Sequence, residues 1–260
     1  MGAAGRWMGE ARQLLDRLEA TQAGHISGAA AICADAIAAG GLVHLFGAGH
    51  SRIPVEEMFP RYGSYPGFHP IAELSMTFHT QIVGANGQRQ AMFIERVEGL
   101  AEVVLSNFNF GADDAFMVFS VSGRSAVPIE MAMGARRRGM PVIAVTSIAE
   151  STAAPSPHPS GTRLLDHGDV VIDLGTPPGD ALVDIDGLDT RVGPGSTLVL
   201  AAVANELKVQ TAELLVARGA MPAVISSSSV MGEERSTALF DSAYADHAAR
   251  LARAIDPDRS

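Results

Sequence analysis

The sequence predicts an α/β fold in which a doubly wound, Rossmann- or flavodoxin-like parallel sheet of five strands is covered by helices on both faces. Short apolar runs, such as "LVHLF" and "AFMVF", alternate with stretches that have helical periodicity. Few polar residues interrupt these runs, which is typical of strands buried on both faces. Several runs end in glycine or hydroxyl residues just before a helix, as a strand does when it turns into the next helix.

The elements follow from this alternation in chain order. Apolar spacing over residues 6–39 predicts one long helix, or two joined near Ala23, that ends at Gly40. Four strands are predicted in "LVHLF", "DDAFMVFS", "MPVIAVTS" and "GDVVIDLG", with a short edge strand in "GFHPIAEL". Further helices are predicted in "FIERVEGLAEVVLSNF", in "AVPIEMAMGARRRG", and over residues 196–218 and 233–255; "ALVDIDGLDTRVGPG" is a hairpin or irregular. We expect residues 1–260 to form one domain with a core at about 30–215 and additional helices at both ends.

Composition excludes several classes of protein. The 260 residues are 47% hydrophobic and 18% charged, as in a globular chain. A net charge of −10 argues against nucleic-acid binding, and no apolar run is long enough to span a membrane. Cys33 is the only cysteine, which excludes disulfides and a cysteine-based zinc cluster and favours a cytoplasmic location.

Three hydroxyl-rich loops follow predicted strands, at residues 47–51, 120–125 and 146–151. The carboxyl ends of parallel strands meet at one edge of a sheet, so these loops converge. Each precedes a helix, whose amides and dipole favour an anion, and we therefore predict a phosphate site. The candidate binding residues are Gly49, Ser51, Ser120, Ser122, Gly123, Arg124, Ser125, Thr146, Ser147 and Ser151.

These loops and the nearby histidines have other possible interpretations. Any single serine could be an ordinary helix N-cap. A nucleophilic serine is excluded at Ser122, because Ser120 and Arg124 stand where a nucleophile elbow has glycines. "GAGHSR" matches neither a dinucleotide fingerprint nor a Walker loop, so no cofactor is expected. His69 and His79 flank Glu73, but the spacing does not support a metal site.

"GAGHS", "SVSGRS" and "VTS" at consecutive strand ends resemble the sugar isomerase (SIS) domain superfamily. This resemblance implies a doubly wound fold, a phosphorylated sugar as ligand, and a homodimer or homotetramer with sites near the subunit interface. The chain as a whole is similar to uncharacterised bacterial SIS proteins that carry "GHS", "HPSG" and "PPGDA". In its motifs it also resembles N-acetylmuramic acid 6-phosphate etherase.

The etherase resemblance carries two acids over to this chain. "EMFPRYG" places Glu57 at the catalytic glutamate, and "RVEGLAE" offers Glu98 as a second functional acid. A carboxylate in a partly buried pocket suits proton transfer, because desolvation raises its pKa. The alternatives are a solvated helix position for Glu57 and, for Glu98, one exposed helical stripe with Glu95 and Glu102.

Two histidines complete the candidates. His50, beside Ser51, is positioned to touch the sugar, and His158 lies in a proline- and serine-rich loop that could close over a site of this chain or of a partner. The leading interpretation is an isomerase of hexose or amino-sugar phosphates. The alternatives are an etherase-like lyase and a non-catalytic sugar-phosphate sensor.

Overall fold

A parallel five-stranded sheet forms the centre of the molecule. The computed structural model describes residues 4–58, 60–77 and 87–256. The strands are β1 (Val43–Gly47), β2 (Phe68–Ile71), β3 (Ala115–Phe119), β4 (Val142–Thr146) and β5 (Val170–Asp173). Their spatial order is β2-β1-β3-β4-β5, and all four pairings are parallel, which confirms the predicted sheet. The chain leaves β1 toward β2 and then crosses to β3, so the switch point of the topology lies between β1 and β3.

Helices cover both faces of this sheet, and long helices lie at both ends of the chain. They are α1 (Arg6–Ala38), α2 (Ile53–Met58), α3 (Gly87–Ile94), α4 (Leu100–Leu105), α5 (Ala126–Arg137), α6 (Ile148–Thr152), α7 (Ser196–Ala217), α8 (Ser228–Met231) and α9 (Glu233–Ile255). Single 3₁₀ turns occupy Gly49–Arg52, Leu74–Met76 and Leu164–His167. No helix in the described part of the chain is long and apolar enough to cross a membrane.

Alternate residues of each central strand enter two separate hydrophobic clusters. Leu45 and Met117 pack with side chains of α1 and α7 on one face. Phe46 and Phe116 pack with side chains of α4 and α5 on the other. Every residue of β1, β3 and β4 is buried. Both faces are therefore covered, which is why these strands read as nearly continuous apolar runs.

Three elements test the sequence-based expectations in detail. The first helix is continuous, as one of the two alternatives predicted. The single helix expected over "FIERVEGLAEVVLSNF" is wrong, because α3 ends at Ile94 and α4 begins only at Leu100. Gly99, at φ 81°, precedes α4 in a left-handed conformation that glycine adopts readily. The segment expected to be a hairpin or irregular forms an antiparallel pair, β6 (Ala181–Val183) and β7 (Val192–Pro194).

A buried polar network lies at the amino edge of the sheet. Nε2 of His44 is 3.1 Å from the Asp114 carboxylate, and Nδ1 of His44 is 2.8 Å from Nδ1 of His69. Asp114 also accepts the backbone N–H groups of Leu42 and Gly111 at 2.8 and 2.7 Å. The carboxylate requires a donor, so neutral His44 carries its proton on Nε2 and accepts from His69 at Nδ1. Burial is the largest of the effects that lower the pKa of His69 to about 3.

Candidate functional site

Two cavities open near the carboxyl ends of β1 and β3, at the switch point of the sheet. Their volumes are about 530 and 270 Å³, and they share Glu95 and Ser122 in their walls. The polar lining of the larger cavity comprises Glu95, Arg96, Glu98, Ser122, Arg124, Ser125 and His158. The polar lining of the smaller one comprises Ser51, Glu95, Ser120, Ser122, Glu150 and Asp180. Residues predicted from two different strand ends are thus brought together, as the topology requires.

The loop after β3 has a fixed conformation that depends on Gly123. This glycine has φ 57°, and its N–H donates to Oγ of Ser120 at 3.2 Å. Its carbonyl accepts the N–H of Leu164 at 2.8 Å. A Cβ at this position would lie 2.9 Å from Oγ1 of Thr146, too close for any other residue without a shift. The loop is therefore held in place on both sides of the glycine.

Ser125 stands at the N-cap of α5 but does not act as a cap. Its side chain makes no capping hydrogen bond and instead donates to Oε1 of Glu95 at 2.8 Å. The interpretation of this serine as an ordinary cap is therefore not what the structure shows. The first residue of α5, Ala126, lines the larger cavity, so the positive end of the helix dipole faces that space.

Glu95 is the functional candidate that the sequence prediction missed. It follows the last residue of α3 directly, and its carbonyl accepts the N–H of Val127 at 3.0 Å. Burial raises its pKa above the ordinary glutamate value, outweighing the hydrogen bond from Ser125 and the charge of Arg96. The signal in the sequence that could have found Glu95 is Gly99. A helix that is interrupted at this glycine cannot carry Glu95, Glu98 and Glu102 on one continuous exposed stripe.

The hydroxyls of the third loop brace the site from behind. Oγ1 of Thr146 donates to the carbonyl of Val121 at 3.1 Å, and Oγ of Ser147 donates to the carbonyl of Thr176 at 2.7 Å. Both residues are completely buried. Ser151 is also buried, and its Oγ has no hydrogen-bond partner in the described part of the structure. None of the three lines either cavity.

The first loop contributes one of its predicted residues to the cavities. Ser51 is buried and lines the smaller cavity. Gly49, at φ 56°, and the exposed His50 lie in the same 3₁₀ turn but outside the lining of both cavities. A Cβ at Gly47 would lie 2.0 Å from the carbonyl oxygen of Ser51, so this glycine allows the tight turn that positions Ser51.

The two acids carried over from the etherase resemblance lie in different surroundings. Glu98 lines the larger cavity and is exposed. Glu57 lies outside the lining of both cavities: Asn205 donates to its Oε1 at 3.2 Å, and Arg61 donates to its Oε2 at 2.6 Å. Burial alone would raise the pKa of Glu57, but Asn205, Lys208 and Arg61 together lower it.

Arg124 pairs with an acid in the wall between the cavities. Its guanidinium lies 3.2 Å from Oε1 of Glu150, whose Oε2 accepts the N–H of Gly179 at 2.7 Å. Next to Gly179, Asp180 adopts a left-handed φ of 63° and accepts the N–H of Ser196, the first residue of α7, at 2.8 Å. These contacts fix the outer wall of the smaller cavity.

Among the residues that the structure describes, no group of three or more His, Cys, Asp or Glu side chains is placed to hold a metal ion. His79 lies outside the described residues. His158 lines the larger cavity of its own chain, with a side chain that is only 7% exposed.

Comparisons with known proteins agree with this geometry. Residues 6–147 match the family model described as the SIS domain. A UPF0309 protein of Streptomyces coelicolor is 36% identical over 231 residues, which cover 88% of this chain and 90% of that protein. A UPF0309 protein of Listeria innocua is 34% identical over 230 residues, covering 88% of this chain and 91% of the relative.

A solved structure supports the fold at much lower identity. The phosphoheptose isomerase from Francisella tularensis superposes with a TM-score of 0.52 at 14% identity, covering 80% of this chain and 96% of that one. This likeness concerns the fold. Together with the family model and the UPF0309 relatives, it shows that the chain belongs to the SIS domain family.

Proposed function

We propose that this protein binds a phosphorylated sugar in the two cavities and interconverts its aldose and ketose forms. The substrate would be a hexose or amino-sugar phosphate. One observation carries the proposal: Ser125, at the start of α5, holds the half-buried Glu95 in the wall of the cavity that the serine loop also lines. A phosphate site and a carboxylate suited to proton transfer thus share one space.

The phosphate group would bind where α5 begins. Ser122 and Ser125 line the cavity there beside the positive end of the helix, and Arg96 and Arg124 supply positive charge. Hydroxyls, amides and two arginines can bind an anion locally even though the whole chain carries a net charge of −10.

Glu95 would move the proton. Its ionised carboxylate removes the proton from the hydroxyl-bearing carbon beside the sugar carbonyl, and the resulting acid returns it to the former carbonyl carbon. The proton of the neighbouring hydroxyl passes to the former carbonyl oxygen, so that the number of bound protons is unchanged. A carboxylate with a raised pKa suits both steps, because it gains and loses a proton closer to neutral pH. The fold shared with a protein named as a phosphoheptose isomerase supports this substrate class.

Thermal unfolding in the presence of sugar phosphates tests binding. A ligand at a hundredfold excess over its Kd stabilises the folded state by about 2.7 kcal/mol, which raises Tm by about 5–10 °C for a chain of this size. We expect this shift with hexose or hexosamine 6-phosphates and not with the same sugars lacking phosphate.

Matched serine variants show where the ligand binds. Ser122→Ala should reduce the shift, whereas Ser106→Ala, which removes an exposed hydroxyl that donates to Val103, should leave it unchanged. The proposal is wrong if none of the phosphorylated sugars shifts the Tm of the wild-type protein.

A further inference from the structure

The loop that carries His158 is tied to itself and to the body of the protein. Oγ of Ser156 donates to the carbonyl of Thr162 at 2.6 Å, and the N–H of Gly161 donates to the carbonyl of His158 at 2.8 Å. Nε of Arg163 donates to the carbonyl of Ser151 at 3.0 Å. These hydrogen bonds therefore fix the loop and hold His158 in the cavity wall.

A line of hydrogen bonds leads from His158 to a second histidine. Nδ1 of His158 is 2.7 Å from Oγ of Ser160, and that oxygen is 2.7 Å from Oγ1 of Thr162. Oγ1 of Thr162 is in turn 2.7 Å from Nε2 of His167. Two hydroxyl groups thus connect the rings without a gap longer than one hydrogen bond.

The backbone sets the direction of this line. The N–H of Ser160 points at Nδ1 of His158 at 3.2 Å and can only donate, so this ring nitrogen carries no proton in neutral His158. Ser160 then donates its hydroxyl proton to His158, Thr162 donates to Ser160, and Nε2 of His167 donates to Thr162. Each donor in this line has one acceptor. Every hydrogen bond is donated in the direction that runs from His167 to His158 in the cavity wall.

The other nitrogen of His158 carries the proton and faces an acid. Nε2 lies 3.5 Å from Oε1 of Glu130, which also accepts the N–H of Gly99 at 3.0 Å. His167 is half-buried, and burial lowers its pKa, with Asp166 acting in the opposite direction.

We propose that Ser160 and Thr162 form a proton path through which His158 in the cavity exchanges protons with solvent by way of His167. Protonated His167 gives its Nε2 proton to Thr162, Thr162 passes its own to Ser160, and Ser160 passes its own to Nδ1 of His158. His167 is then neutral and His158 positively charged, so the charge balances. His158 can next release its Nε2 proton to a ligand; this use, but not the path itself, rests on the proposed function.

Charged groups surround both ends of the path. Glu95, Arg96, Glu98 and Arg124 share the cavity wall with His158, and Glu130 faces its ring. Near His167 lie Asp166 and Arg136, and Arg136 donates to the carbonyl of His167 at 3.3 Å and pairs with Asp169. Asp166 and Arg136 act in opposite directions on the pKa of His167.

Nuclear magnetic resonance of the ring nitrogens tests the path in the full chain without ligand. We expect the neutral ring of wild-type His158 to carry its proton on Nε2. Thr162→Val, which replaces the hydroxyl by a methyl group, should slow exchange of the His158 ring proton with water by about tenfold or more. Thr162→Ser, which keeps the hydroxyl, should retain the wild-type exchange rate.

A second variant keeps the test decisive if Thr162→Val does not fold. His167→Gln retains an N–H donor but cannot titrate, and it should slow the exchange in the same way. The proposal is overturned if wild-type His158 carries its proton on Nδ1, or if the folded variants exchange as fast as the wild type. The experiment needs no sugar phosphate, so its outcome is independent of the thermal-shift test.

Discussion

The two edges of the sheet use similar residues for different ends. At the amino edge, Asp114, His44 and His69 are buried, and their bonds run within the protein. At the carboxyl edge, Glu95 has one side-chain hydrogen bond within the described residues, from Ser125, and it lines two cavities. Residue type does not separate these networks, since both contain carboxylates and histidines. What separates them is the number of hydrogen-bond partners inside the protein and whether a cavity adjoins the side chain.

Desolvation has different consequences at the two edges. Burial lowers the pKa of His69 to about 3, so this ring stays neutral at any physiological pH and serves structure. Burial raises the pKa of Glu95 and so brings its titration closer to neutral pH, where a carboxylate can act in turn as base and acid. The same physical effect therefore keeps His69 neutral at one edge and, under the proposed function, suits Glu95 to proton transfer at the other.

Among the variants, Glu95→Gln should have the largest effect on kcat. If its kcat stayed close to that of the wild type, the contrast between the two edges of the sheet would be wrong. Removing the general base should lower kcat by about a thousandfold, with little change in KM, because the amide keeps the shape of the side chain. Incorporation of solvent deuterium at the carbon beside the carbonyl is the measurement. The thermal shift with sugar phosphate should persist.

Glu98→Gln is the matched control, because Glu98 lines the same cavity but is exposed. We expect it to retain kcat within about tenfold of the wild type, which is less than 1.4 kcal/mol of transition-state stabilisation. Loss of turnover in Glu98→Gln with activity kept in Glu95→Gln would assign the base to the exposed acid instead.

The buried histidine pair predicts an acid-sensitive component of stability. The pKa of His69 is about 3 in the folded chain against 6.5 for the unperturbed ring. A group whose folded pKa is lowered contributes stability that is complete above pH 6.5 and is lost as the pH falls toward 3. Between pH 7 and pH 4 the free energy of unfolding should fall by about 3 kcal/mol on this account.

His69→Asn isolates that component, because its amide can still donate to Nδ1 of His44 but cannot titrate. Denaturant unfolding of both proteins at a series of pH values gives the comparison. We expect the wild type to lose about 3 kcal/mol more than His69→Asn over this pH range. Parallel curves would mean that the amino-edge network does not depend on a neutral His69.

Local patterns predicted the sheet and most helices, because strand burial and helix ends depend on residues that are close in the sequence. The orientation of functional side chains depends on distant ones. The Glu95 side chain is held by Ser125, thirty positions later, and the Glu57 carboxylate accepts from Asn205 and pairs with Lys208, both on α7. Gly99 indicates that the helix around Glu95 is interrupted, but no local pattern says which of these two glutamates faces a cavity.

The third loop shows the same limit for hydroxyl groups. Its position behind a strand end was predictable from the order of elements. The direction of Thr146 and Ser147 was not, because it is set by the carbonyls of Val121 and Thr176. Whether a serine faces a ligand or braces a loop is decided by tertiary partners.

The smallest expected effect concerns the backbone of the serine loop. Gly123→Ala should cost about 1–2 kcal/mol for its left-handed conformation, and its new Cβ would also press on Thr146 at 2.9 Å. Gly139→Ala is the matched control, since Gly139 has φ 80° but no atom within 4 Å of the added carbon. Chemical denaturation should show the left-handed strain in both variants and a further loss of stability in Gly123→Ala from the contact with Thr146. Only Gly123→Ala should also lose the thermal shift with sugar phosphate, because the loop between Ser122 and Ser125 must move only in that variant. A full thermal shift in Gly123→Ala would show that the loop does not hold the phosphate.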